Sequence, residues 1–152
     1  NLQPKNQIPP SMKYHGCILE FTEQRNKELM KAFRKALNEC SFVEIAEISE
    51  KVVNTPCSRF WVSEERAAVV IAAMLKNKPV LNSMRPTKRE MFLEIYHRVI
   101  KLRREQPGES LFRLIVKVVH SPAPKFYILP RCAMEIIYKI KKGHYKKTTD
   151  GR

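Results

Sequence analysis

Residues 121–128 read SPAPKFYI, and residues 55–62, 66 positions earlier, read TPCSRFWV. Each run sets a proline three residues ahead of a cation, a phenylalanine, a second aromatic and an aliphatic residue. Aligning Val52 with Val118 extends the match without a gap from 52–76 to 118–142. Seven of the 25 positions are identical: the two opening valines, Pro56/Pro122, Phe60/Phe126, Ala67/Ala133, Ile71/Ile137 and Lys76/Lys142. Average composition would give roughly one or two. Thr55/Ser121, Arg59/Lys125, Trp61/Tyr127 and Val62/Ile128 exchange like for like. Self-similarity at a fixed period points to a duplicated unit of about 66 residues.

Apolar spacing predicts three helices in each copy. In the first copy, Leu29, Met30, Phe33 and Leu37 form one stripe over 23–38. A second helix spans 42–53, with Ser41 and Glu44 as a capping box and Phe42, Ile45, Ile48 and Val52 facing inward. Pro56 ends it, Arg59–Val62 is extended, and Ser63 caps a third helix over 64–76. In the second copy, Thr87 and Glu90 form another box ahead of a helix over 88–104, carried by Met91, Phe92, Ile95, Val99 and Leu102. The turn Gln106-Pro107-Gly108 leads to a helix over 109–119. Phe126–Ile128 is extended, and Pro130 opens the last helix, 130–142. The expected fold is therefore mainly α: two tandem divergent three-helix repeats, each with a short extended segment before its third helix. The expected division is an extended arm over 1–21, repeat one over 22–76, a linker over 77–86, a basic repeat two over 87–143 and a basic tail over 144–152. Two helices braced by a third suggest a helix-turn-helix-like or winged arrangement. The connection from Val53 to Glu64 is longer than the usual three or four residues of that motif.

Charge narrows the function. The chain of 152 residues carries a formal net charge of +14, and the excess is uneven. Residues 1–76 hold 11 Lys/Arg against 9 acids; residues 77–152 hold 18 against 6. Such segregation suits a polyanionic partner. On the last helix, Cys132, Ala133, Ile136, Ile137 and Ile140 mark the apolar side. Arg131, Glu135, Tyr138, Lys139 and Lys142 lie opposite, with Lys141 beside them and Tyr145, Lys146 and Lys147 following. Cations interleaved with tyrosine suit phosphate contact and stacking. Lys125 ahead of this helix, and Arg85, Lys88 and Arg89 at the start of 88–104, complete the candidate contacts. Arg103 and Arg104 close that helix. The third helix of the first copy is apolar throughout Ala67–Leu75, which suggests burial on several sides, or a surface for self-association or a protein partner.

Catalytic signatures are missing. The four glycines form no phosphate-cradling loop, no Gly-x-Ser-x-Gly or His-Glu-x-x-His occurs, and Asp150 is the single aspartate. No cofactor is expected. Cys17, Cys40, Cys57 and Cys132 fit no zinc spacing and are expected as reduced thiols. No apolar run approaches the roughly 18 residues of a membrane span. The start, NLQPKNQIPP, lacks the order of a secretion signal, so the cytoplasm is the expected compartment.

The Pro-x-x-Arg/Lys-Phe-aromatic-Val/Ile segment before a helix, carried by PCSRFWVSEERA and PAPKFYILPRCA, resembles a stretch of small uncharacterised bacterial proteins. That resemblance covers about 12 residues in each copy and implies no activity. The expected function is non-catalytic nucleic-acid binding, with DNA favoured over RNA, as a regulator or a mobile-element accessory factor. The competing expectations are an RNA-binding subunit of a larger enzyme and a structural adaptor for an acidic protein.

Overall fold

The computed structural model describes the backbone of residues 10–143 and the side chains of residues 21–143. Among these residues it is mainly helical and has no strand. The helices are α1 (Pro10–Glu39), α2 (Ile45–Val53), α3 (Glu64–Leu75), α4 (Pro86–Glu105), α5 (Leu111–Val119) and α6 (Pro130–Lys141). None is long and apolar enough to cross a membrane.

Local chemistry sets most boundaries. Ser63 Oγ accepts from Arg66 N–H at 3.1 Å and starts α3; Ser110 Oγ accepts from Arg113 N–H at 3.2 Å and starts α5. Proline occupies the first turn of α4 and of α6, where its missing N–H costs nothing. After α3 the chain stops on Asn77 at φ 60°, with Asn77 N–H bonded to Met74 O and Lys78 N–H to Ala73 O. This left-handed stop satisfies two end carbonyls. Gly143, 66 positions later, stops α6 at φ 82° with its N–H on Ile140 O.

The expected arm is helical from Pro10, because α1 runs unbroken through residues read as extended. Neither capping box forms. The helix at Pro86 begins before Thr87, which lies inside its first turn. Glu44, not Ser41, is the N-cap of α2, and it makes no side-chain cap bond. Residues 40–44 are spent reversing the chain after α1, so Phe42 and Ile45 stand exposed and only Ile48, Val52 and Val53 of this segment reach the core.

The third helices are exchanged. The α6 helix packs on α1 and α2, while α3 packs on α4 and α5. The contacting pairs α1–α2 and α4–α5 are helical hairpins that each receive the other half's last helix. Consequently α2 and α3 make no contact, and the helix-turn-helix expectation is not met. The connections Asn54–Ser63 and His120–Leu129 cross at Cys57 and Ala123. There each residue's N–H donates to the other's carbonyl at 2.9 Å. Phe60 N–H bonds Val119 O at 2.9 Å, and Phe126 N–H bonds Val53 O at 2.9 Å. Phe60 stacks on Tyr127 and Trp61 on Phe126, with centroids 5.9 and 6.2 Å apart. Every one of these contacts maps onto its counterpart by a shift of 66 residues. Buried residues of both halves join in a single core cluster.

Cys57 sits inside this crossing. Its Sγ lies 3.4 Å from the carbonyls of Arg59 and Lys125, and burial pushes the thiol up to about 11. A thiolate fraction of about 10⁻³ at pH 8 follows, against roughly a quarter for an ordinary thiol. The expected result is that iodoacetamide labels Cys40 and Cys132, both half-buried, at least tenfold faster than Cys57 in the native protein. Peptide mass spectrometry reads each site separately.

Candidate nucleic-acid interface

Ala133, Met134 and Ile137 bury one side of α6 against α1 and α2. The helical period then turns Arg131, Glu135, Tyr138, Lys139 and Lys142 to solvent, and all five are exposed. Tyr138 keeps 52% of its surface. Among the described residues no ion pair or side-chain hydrogen bond engages Arg131, Tyr138, Lys139 or Lys142. Lys141 Nζ lies 5.1 Å from the centre of the Phe33 ring on α1, a cation held over an aromatic face.

That contact sets the last turn of α6 beside the turn of α1 that carries Lys31, Arg34 and Lys35. All three are exposed, as is Lys27 one turn earlier. None of the four makes an ion pair among the described residues. Two neighbouring helices thus each carry exposed cations near this contact, with Tyr138 and Glu135 also exposed on α6. Sequence reading missed the α1 half of this surface. Glu23, Glu28 and Glu39 share that helix and hide its cations in a net count, and only the exchange brings α6 to it. Glu28 is also engaged elsewhere: it accepts from Ser58 N–H at 2.9 Å and meets Ser58 Oγ.

The remaining candidates divide. Lys125 is neutralised: its Nζ is 2.7 Å from Glu90 Oε2 and 5.6 Å from the Tyr127 ring centre. It lines a cleft of about 160 Å³ among the end of α2 and the starts of α4 and α6, with Glu50 and Glu90 also in its lining. Arg89 donates to the Met84 carbonyl at 2.9 Å and holds the linker against α4. Arg85 is exposed at the N-cap of α4. Lys88 is exposed near the start of α4. Desolvation first, then the facing charges of Arg25 and Arg66, hold its pKa below the ordinary lysine value. Arg25 and Arg66 come from α1 and α3, and no sequence signal placed them there. Arg103 and Arg104 are exposed at the far end of α4. Tyr145, Lys146 and Lys147 lie outside the described residues.

Among the described residues, the cations of the second half fall on two different helix groups. Those of α6 sit on the α1–α2 hairpin, and those of α4 sit beside α3 and α5. Of α3, expected to be buried on several sides or to offer an association surface, Ala67, Val70 and Ile71 are buried and Val69 is 61% exposed. Among the described residues no group of three His, Cys, Asp or Glu is placed to hold a metal ion. No protein-family model, curated protein or solved structure matches the chain.

Proposed function

We propose that this protein binds nucleic acid without catalysis, and that the α1–α6 surface is its phosphate grip. The packing of α6 on α1, with Lys141 over the Phe33 ring and with exposed Lys31, Arg34 and Lys35 on one helix and exposed Lys139 and Lys142 on the other, supports this reading. Like charges gathered on two contacting helices repel one another. A chain of phosphates relieves that repulsion and releases its condensed counterions in doing so. Duplex DNA is favoured over single strands. Single-strand binders array several exposed aromatic side chains for stacking, and among the described residues of α1 and α6 Tyr138 is the one exposed aromatic.

A second reading, an adaptor for an acidic protein, draws on the exposed apolar residues Phe42, Val43 and Val69. One titration separates the two. Duplex DNA, structured RNA and polyglutamate are each titrated at two salt concentrations, with the native chain and with a Lys31, Lys35, Lys139, Lys142→Gln variant. On the nucleic-acid reading the native chain prefers duplex DNA. The slope of log K against log salt then shrinks by about 0.9 for each phosphate contact removed, or roughly 3–4 in all. An unchanged slope removes the α1–α6 surface from the reading, and binding to polyglutamate alone favours the adaptor.

A further inference from the structure

We infer that the chain is a fused pair of protomers, in which residues 22–76 and 87–143 recognise each other without needing the linker between them. The partner each half fits is a second copy of its own kind. This inference is independent of what the surface binds.

Each half by itself is unfinished. Without α6, the α1–α2 hairpin would expose Leu29, Phe33, Ile48 and Val52, now between 0% and 6% accessible. Burial of such side chains is worth about 1.5–3 kcal/mol apiece. The α3 helix cannot cover them, because the crossing segment carries it to the other hairpin. The contacts that decide this are reciprocal: the Cys57–Ala123 pair of hydrogen bonds, the Phe60–Val119 and Phe126–Val53 bonds, and the two aromatic stacks. Reciprocity, in which i meets j and j meets i, is the signature of a twofold interface between identical chains. A chain folded as two sequential bundles has no reason to show it. Exchange of an identical element between protomers is a low-cost route to a dimer, and tandem fusion of the two copies would leave this arrangement in one polypeptide. The linker packs Val80, Leu81 and Met84 against the core on either side of its tip, so a cut at the tip leaves those contacts in place. Asn82 and Ser83 are exposed at its turn, while Arg89 anchors Met84 from the α4 side.

The test is a cut. A protease site inserted between Asn82 and Ser83 is cleaved in the purified full chain, and the product is passed over a sizing column at micromolar concentration. The expected result is one species at the size of the intact protein, resolving into two fragments only under denaturing conditions. Its melting temperature should fall on tenfold dilution, while that of the uncut chain stays fixed, because only the cut form unfolds with dissociation. Fragments that elute separately and remain helical would overturn the inference, since each half would then close on itself. Loss of helicity on cutting would also overturn it, by showing that the linker is required.

Discussion

Phe60→Ala and Phe126→Ala are each expected to lower the unfolding free energy by about 3–5 kcal/mol, against a total of roughly 5–15 for a domain of this size. Both side chains are almost fully buried, at 0% and 1% exposure, and each stacks across the crossing onto an aromatic ring of the other half. Truncation removes the transfer term and leaves a cavity that the two crossing segments are poorly placed to fill. Their backbones are already fixed by the Cys57–Ala123 bridge. Phe60→Ala should be the costlier, because the Arg98 guanidinium lies 5.0 Å above its ring. Arg98 itself is tied to Glu94 at 2.8 Å and to the Pro122 carbonyl at 2.7 Å. The urea midpoints of the two variants measure this. A loss below about 1 kcal/mol in either would show that the crossing is not the centre of the fold. The two losses should not add in the double variant, since both mutations open the same aromatic cluster.

The repeated phrase made the location of this centre legible before any coordinates. Pro56 and Pro122, the paired phenylalanines and the paired second aromatics are where the chain crosses itself, and helix number and type followed from apolar spacing alone. The exchange was not legible, for a physical reason. A shift of 66 residues maps the chain onto itself whether the third helix returns to its own hairpin or goes to the neighbouring one. The buried faces of α3 and α6 are the same in both cases. Only the length of the connection distinguishes them: Asn54–Ser63 is too long for a tight turn and long enough to reach across. Ser41 and Thr87 misled because a capping residue is read from its neighbours, whereas Pro86 and the reversal after α1 decided where those helices start. The charged surface was half legible. Lys139 and Lys142 were found from their helical phase. Lys31, Arg34 and Lys35 were lost in the net charge of their half of the sequence.

Arg59 and Lys125 hold equivalent places in the two copies, yet their removal should have very different consequences. Arg59 is 5% exposed, donating from Nε to the Phe60 carbonyl at 2.9 Å and from Nη2 to the Val62 carbonyl at 2.7 Å. Its guanidinium also lies 5.0 Å from the Phe21 ring centre and 5.9 Å from that of Trp61. Arg59→Met keeps the volume but strands the Val62 carbonyl, leaves the Phe60 carbonyl with the Val62 N–H alone, and gives up the cation–aromatic contacts. A loss of about 2–4 kcal/mol is expected, after allowing for the desolvation that the apolar replacement avoids. Arg59→Lys should recover little of it, because a single ammonium cannot span both carbonyls as the planar fork does. Lys125→Met breaks an ion pair with Glu90, whose side chain is 54% exposed, and about 0–1 kcal/mol is expected. Urea unfolding of the three variants reads the difference. Equal losses at 59 and 125 would mean that Arg59 is not buried in solution. Unequal losses of this size would show why a cation was kept at both places for different reasons. One is fastened inside the crossing, and the other is neutralised at its edge, so neither is available to a phosphate.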